Sequence, residues 1–279
     1  MEKDELIKKL RLGKLKCFKC DRIATDIHHL DNDHSNDSEG NLAPICKICH
    51  NEIHGITPQI DELGALVRNF YRVQEFRKAV DNQIRSYEAI GYSTEIFSDL
   101  KTNVEKMEGM LNKQIKTLVK EHVFWKEAKK VKGVSHLLFA NLVSEIQDPR
   151  RFANPSKLWK YFGLHTVEGS APKRTRGNML GFSVRRRSLM WKFADQFNRN
   201  RNRGNMGKLL AEYHEFYKER DKNLSKGHIL NRAKRKAAKV FLTCFWSRWM
   251  EILGEKPTKP FAFDKLEHKN IIEWKDIIN

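Results

Sequence analysis

Two CxxC pairs constrain the amino-terminal part of the chain more than any other feature of the sequence. Cys17 and Cys20 form the first pair, and Cys46 and Cys49 form the second pair after an interval of 25 residues. Four thiolates on two tight turns supply the tetrahedral donor set that Zn²⁺ prefers. Disulfides are the competing interpretation, and they are disfavoured because nothing in the sequence indicates export to an oxidising compartment. The spacing therefore predicts a closed, structural zinc site that does no chemistry itself.

A second set of metal-binding side chains lies between and beside the CxxC pairs. His28 and His29 are adjacent, and His50 and His54 are four residues apart. Residues four apart on a helix share one face, so both imidazoles can bind one ion. Adjacent residues on a strand point to opposite sides, so one of His28 and His29 can bind that ion while the other acts as a base. A three-histidine site keeps coordination positions open, and it permits Zn²⁺, Ni²⁺, Mn²⁺ or Mg²⁺.

These residues resemble the HNH endonuclease motif in its zinc-knuckle form. The resemblance covers most of residues 15–55 and is carried by His28-His29-Leu30-Asp31, Asn41-Leu42 and Cys46-x-x-Cys49-His50-x-x-x-His54. It implies a ββα-metal finger in which His29 is the general base and Asn41 steadies the loop behind that base. It also implies that the catalytic divalent ion is bound by His28, His50 and His54. An imidazole with a pKa near ~6.5 suits the deprotonation of water near neutral pH.

Apolar periodicity predicts two long helices after this metal-binding region. Apolar residues recur at spacings of three and four from Ile60 to Tyr87, and again from Leu100 to Leu118, with Gly91 between the two runs. Such a pair forms a helical hairpin whose apolar stripe must be covered. Packing within the chain and dimerisation as a coiled coil both remain open.

The net charge of +18 lies almost entirely in one segment of the chain. Residues 126–255 carry a net charge of +18, whereas residues 1–57 carry −1, residues 58–125 carry zero and residues 256–279 carry +1. Solubility does not require such a concentration of charge, so a polyanion, usually nucleic acid, is the expected partner. No apolar window approaches the ~18 residues of a membrane span, and the first residues lack a signal-peptide pattern. We therefore expect a cytoplasmic protein that is neither secreted nor membrane-bound.

The basic segment resembles the carboxy-terminal module of the bridge-RNA-guided transposases, a family that pairs a DEDD nuclease-like domain with a catalytic serine. The resemblance is carried by residues 131–152, 158–178 and 183–194, and the two preceding helices resemble the coiled coil of that family. It implies DNA as a partner, a structured guide RNA, a homodimer or higher oligomer, and Ser170 as an alternative nucleophile.

The chain departs from that family in three places. Gly133-Val134-Ser135 stands where the family has GxG, Ser170-Ala171 stands where it has SG, and the cysteine and histidine region takes the place of the acidic domain. A glycine turn that opens a helix can present backbone N–H groups to phosphate, and arginine forks fit phosphate oxygens. The candidate phosphate contacts are Gly133, Lys173, Arg174, Arg176, Arg185, Arg186, Arg187 and Arg199.

The sequence thus predicts a mainly α protein with a small α+β head. The four predicted parts are an HNH nuclease head with structural zinc at residues 1–57, a helical hairpin at 58–125, a basic helical transposase-like DNA-binding domain at 126–255 and an arm at 256–279. The predicted function is metal-dependent endonuclease hydrolysis of DNA, targeted by the transposase-like part. Two alternatives stay open: an RNA-guided transposase or recombinase of a mobile element that uses Ser170, and a zinc-bearing nucleic-acid binder without catalysis.

Overall fold

The chain divides into two units, Met1–Asp61 and Glu62–Asn279. A computed structural model describes residues 3–31, 33, 35–54, 58–167, 169–172, 181–258 and 271–279. For residues 58–60 it describes the backbone and not the side chains. The described residues are mostly helical, and their sheet has two strands. The prediction of a mainly α chain with a small α+β head is therefore confirmed at this level, while the four predicted domain boundaries stay predictions.

The first unit consists of two short helices and one strand pair. Its elements are α1 (Lys3–Arg11), β1 (Asp26–His29), β2 (Leu42–Ile45) and α2 (Lys47–Ile53). The strands are antiparallel, with His28 paired to Ala43 and His29 paired to Leu42. Apart from cysteines, its buried apolar side chains among the described residues are those of Leu6, Ala24, Ala43 and Ile45. Such a small apolar core cannot by itself stabilise a unit of this length.

Two long helices follow, α3 (Pro58–Ala89), which belongs to the second unit from Glu62 onward, and α4 (Glu95–Glu121). Gly91 lies in the turn between them with a φ of +76°, which a residue with a side chain rarely adopts. Arg77 of α3 forms an ion pair of 2.6 Å with Glu108 of α4, and Lys101 forms one of 3.0 Å with Asp81. These contacts cross the two helices, so α3 and α4 form the hairpin that the apolar periodicity predicts.

The remaining helices pack around α10, which spans Lys226–Ile252. The other helices are α5 (Trp125–Ala128), α6 (His136–Ile146), α7 (Pro155–Tyr161), α8 (Val184–Arg199), α9 (Asn205–Arg220) and α11 (Trp274–Ile277). The buried side chains of α10 include those of Ala233, Ala237, Phe241, Cys244 and Phe245. Aromatic rings fill much of this core, because their large area dominates the hydrophobic gain on burial. In the described part of the chain, no helix combines the length and the apolar character that crossing a membrane requires.

Candidate metal centres and nucleic-acid interface

The four cysteines of the CxxC pairs converge on one point of the first unit. The sulfur atoms of Cys17, Cys20, Cys46 and Cys49 all lie within 4.8 Å of one another. The Cys20 sulfur is 3.7 Å from that of Cys46 and 3.6 Å from that of Cys49. Four sulfurs bound to zinc at about 2.3 Å lie about 3.8 Å apart at the corners of a tetrahedron. The donor set and its spacing therefore fit a structural zinc ion.

Backbone and side-chain donors around Cys46 favour its thiolate form, whereas burial raises the pKa of the Cys49 thiol to about 12. Cys46 precedes α2, and the backbone N–H of Cys49 donates to its sulfur over 3.5 Å, which lowers the pKa of the Cys46 thiol. Arg22 lies beside the same sulfur, and its hydrogen bond to Cys46 raises the pKa of the guanidinium. Because thiolates are the form of cysteine that binds metal, both contacts prepare the cluster for zinc.

Three histidines converge in the same way at a second point of the first unit. His28 lies on β1, His50 lies on α2 and His54 follows the last residue of α2. Their ligand nitrogens all lie within 4.8 Å of one another. The imidazole centroids are 5.1 Å apart for His28 and His54, 5.5 Å for His28 and His50, and 4.8 Å for His50 and His54. His28 is buried and the other two are half-buried, so these nitrogens could hold an ion that keeps one side open.

A carboxylate lies beside one of these histidines. The Oδ2 atom of Asp26 is 3.7 Å from the Nδ1 atom of His50. Carboxylates in this position orient metal-binding imidazoles and raise their basicity. An all-imidazole donor set suits Zn²⁺ or Ni²⁺ better than Mg²⁺, which prefers oxygen ligands.

His29, the predicted general base, contacts a residue that the sequence analysis did not single out. Its Nε2 atom is 3.0 Å from Oδ1 of Asp37, and Lys3 on α1 pairs with the same carboxylate at 2.7 Å. The hydrogen bonds from His29 and from Lys3 lower the pKa of Asp37, so its carboxyl group is ionised at neutral pH. An acidic residue in the loop between the base and the second CxxC pair was the available signal for Asp37. The sequence contains no comparable signal for Lys3.

Asn41 connects the two ends of the loop that carries Asp37. Its Oδ1 accepts a hydrogen bond from the backbone N–H of Asp31 over 3.0 Å, and its Nδ2 donates to Oδ1 of Asp31 over 2.9 Å and to the carbonyl oxygen of Asn36 over 2.7 Å. Fixed in this way, the loop places Asp37 against His29. The position of Asn41 is thus compatible with its predicted role of steadying the loop.

Several predicted phosphate contacts of the second unit have intramolecular partners. Arg185 and Arg186 both pair with Glu145, at 2.7 Å and 2.8 Å, and Arg199 pairs with Asp195 at 2.9 Å. Each of the three guanidinium groups therefore has a carboxylate partner, although Arg185 and Arg186 share the single charge of Glu145. Lys173, Arg174 and Arg176 lie outside the described residues.

Arg187 is arranged differently from its two neighbours. Its Nε donates to the carbonyl oxygen of Gly163 over 3.1 Å, and its terminal nitrogen donates to that of Pro172 over 2.9 Å. Its charge is therefore hydrogen-bonded to neutral groups. Of the predicted arginines that the structure describes, Arg187 is thus the one without a carboxylate partner among the described residues.

The remaining predicted residues, Gly133 and Ser170, lie in turns. Gly133 precedes α6 with a φ of +99°, and a Cβ atom there would lie 3.4 Å from the side chains of Gln196 and Phe197 on α8. The positive φ therefore favours glycine at this position, whereas a Cβ at 3.4 Å would make only ordinary contacts. Ser170 is exposed, exchanges two backbone hydrogen bonds of 2.9 Å with Val167 and lines a cavity of about 860 Å³.

Comparison with known proteins bears on the basic part of the chain. No curated protein matches the chain at a significant level. Residues 126–208 match the family described as Transposase IS116/IS110/IS902. The match includes Gly133, Ser170 and the arginines at the start of α8, and it does not extend to the cysteine and histidine clusters. Residues 126–208 are therefore a transposase-like module.

Proposed function

We propose that the chain is a DNA-processing enzyme of a mobile element, which holds nucleic acid through its transposase-like module. The match of residues 126–208 to a transposase family carries this proposal. A transposase family implies an enzyme that cleaves or recombines nucleic acid, and the +18 charge of residues 126–255 supports the same partner.

We further propose that the first unit cuts the DNA by metal-dependent hydrolysis, as in an HNH endonuclease. The convergence of His28, His50 and His54 next to His29 supports this assignment. An ion held by the three imidazoles would supply positive charge to the scissile phosphate and to the leaving oxygen. The neutral His29 would take the proton of the attacking water.

The contacts of His29 indicate which of its nitrogens would accept that proton. Nε2 lies 3.0 Å from the ionised carboxylate of Asp37, which can only accept a hydrogen bond, so Nε2 carries the proton of the neutral imidazole. Nδ1 would therefore accept the proton of the water. Asp37 would keep its hydrogen bond from Nε2, and its negative charge would stabilise the imidazolium that forms.

Substitution of His29 and of Ser170 separates this chemistry from its main competitor. We expect His29→Ala to lower the nicking of supercoiled plasmid by about 10²- to 10⁴-fold, the range that general bases contribute. Ser170→Ala should retain activity in the same assay, run with Mg²⁺, Mn²⁺ and Ni²⁺ in protein of verified zinc content. Full activity of His29→Ala would refute hydrolysis at the histidine cluster.

The second candidate function is a transposase or recombinase that uses Ser170 as its nucleophile. The family match favours it, because the match includes Ser170. Attack by the Ser170 hydroxyl would leave a covalent serine–DNA adduct, which denaturing gels detect and which Ser170→Ala would abolish. Sequencing of RNA that co-purifies with the chain tests the guide that the resemblance implies. Binding without cleavage under every metal tried would leave the non-catalytic alternative.

A further inference from the structure

A cationic cavity lies in the second unit, outside the metal-binding clusters. Its volume is about 860 Å³, and its lining comes mostly from Leu164, Thr166, residues 169–172 and the helices α8, α9 and α10. Seven of the described lining residues are lysine or arginine, and none is aspartate or glutamate. A concave surface with one sign of charge concentrates counter-ions of the opposite sign.

Four of these seven cations interact with neighbouring carboxylates or aromatic rings. Arg220 and Arg232 both pair with Asp221, at 2.8 Å and 2.5 Å, and Lys234 pairs with Asp195 at 3.0 Å. Lys236 lies over the ring of Tyr213 at 5.9 Å. Three of the four cations therefore have a carboxylate partner within the protein.

The other three cations, Arg187, Arg235 and Lys239, contact neutral groups. Arg187 donates to two carbonyl oxygens, Arg235 donates to the carbonyl oxygen of His165, and Lys239 lies 4.9 Å from the centre of the Trp159 ring. Among the described residues, no carboxylate forms an ion pair with any of the three. They form a cluster of positive charge on α8 and α10 that the protein does not neutralise within its described part.

Burial and mutual repulsion act on this cluster. Burial lowers the pKa of Arg187, and burial together with the charge of Arg187 lowers the pKa of Arg235. Burial and the charges of Arg235 and Lys236 lower the pKa of Lys239 to about 8. Removing like charges from water costs free energy unless an anion compensates them. Local conflict of this kind is typical of ligand sites.

We propose that Arg187, Arg235 and Lys239 form a binding site for a backbone phosphate of nucleic acid. The proposal rests on the nucleic-acid-binding function proposed above and assigns that function to a specific place. Two guanidinium groups can bind phosphate oxygens through paired hydrogen bonds, and the ammonium group adds a point charge. Arg185, Arg186 and Arg199 are less suited, because each of them already pairs with Glu145 or Asp195.

DNA binding by the full chain tests the site. The probes are a fluorescein-labelled duplex and a single strand of about 30 nucleotides, and binding is followed by fluorescence anisotropy from about 50 to 300 mM salt. We expect Lys239→Gln to weaken binding of at least one probe about 5- to 20-fold and to lower the salt slope by about one. The matched control is Lys78→Gln on α3, because Lys78 is 51 % exposed and pairs with Glu75. It should change affinity by less than about twofold.

Thermal unfolding of the same variants without DNA excludes a merely structural role. We expect the melting temperature of Lys239→Gln to equal or exceed that of the unmodified chain, because the substitution removes a buried, repelled charge. A structural lysine would instead lower both the melting temperature and the affinity. Arg235→Gln provides a second variant, for which we expect a similar loss of affinity.

The outcomes distinguish failure of the proposed phosphate site from failure of the proposed nucleic-acid binding. If the unmodified chain binds neither probe, the proposed nucleic-acid function fails. If the unmodified chain binds DNA while folded Lys239→Gln and Arg235→Gln bind it with unchanged affinity and salt slope, the site is refuted and the function stands. A loss of affinity that accompanies a lowered melting temperature in both variants also refutes the site.

Discussion

Removal of the metal from the four-cysteine cluster should unfold residues 3–54 and leave the second unit folded. Leu6 and Ile45 are the large apolar side chains, other than cysteine, that the first unit buries among its described residues. Each contributes about 1.5–3 kcal/mol, or about 3–6 kcal/mol together. A structural zinc ion bound by thiolates contributes about 10–16 kcal/mol in small domains. The metal thus stabilises the first unit more than these apolar side chains do. Their burial alone is too small to keep the unit folded once the metal is removed.

The assay combines zinc release with limited proteolysis of the full chain. A chelator should release the zinc of the four-cysteine cluster, after which trypsin should cleave rapidly between residues 3 and 54. The helical circular dichroism should fall only by the share of α1 and α2, which have 9 and 7 residues. Cys46→Ser should have the same effect without a chelator.

Cys244→Ser is the matched control for this experiment. Cys244 is buried on α10, where its sulfur donates to the carbonyl oxygen of Ile272 over 3.3 Å, away from the cluster. Its substitution should leave the zinc content and the proteolysis of residues 3–54 unchanged. Dependence of the first unit on zinc is refuted if the chain holds no zinc on purification, or if complete zinc release leaves residues 3–54 resistant to trypsin.

Local contacts lead to three further predictions. Asp37→Asn should lower the rate of DNA hydrolysis by about 10-fold or more with unchanged DNA affinity, because it removes the negative charge beside His29. If the variant hydrolyses DNA as fast as the unmodified chain, Asp37 does not have this role. Gly207→Ala should destabilise the chain by about 1–3 kcal/mol in urea unfolding, because a Cβ there would lie 2.2 Å from a backbone oxygen. Gly109→Ala, where no atom lies within 4 Å of the added Cβ, should instead stabilise the chain by about 0.5–1 kcal/mol. If the two substitutions have equal effects, the contact of the Cβ with the backbone oxygen is not the cause. Burial lowers the pKa of His122 from 6.5 to about 4, and protonation therefore favours the unfolded chain. About 2–3 kcal/mol of the free energy of unfolding, present above about pH 6.5, should be lost as the pH falls towards 4. His122→Gln should not show this loss. If both chains show the same pH dependence, the loss does not come from His122.

The metal clusters are the part of this protein that the sequence by itself determined best. Sulfur and imidazole ligands must come from cysteine and histidine, and the turn of a CxxC pair or of a helix fixes the spacing of close ligands. Cys17 and Cys20 could therefore be assigned to one knuckle, and His50 and His54 to one face, before any contact was known. The long helices could be predicted for a similar reason, since an apolar stripe is a local periodicity.

Only the tertiary structure decided which charges are compensated. Arg185, Arg186 and Arg187 are consecutive and equivalent in sequence, yet the first two pair with Glu145, about 40 residues away, and the third faces a cavity with Arg235. The contact between His29 and Asp37 likewise depends on how a loop folds back on its strand. Sequence spacing fixes short-range geometry, whereas the partner of a charge depends on which distant segments the packing of the core brings together. For that reason the sequence located the basic segment, and the fold located the cations within it that have no carboxylate partner among the described residues.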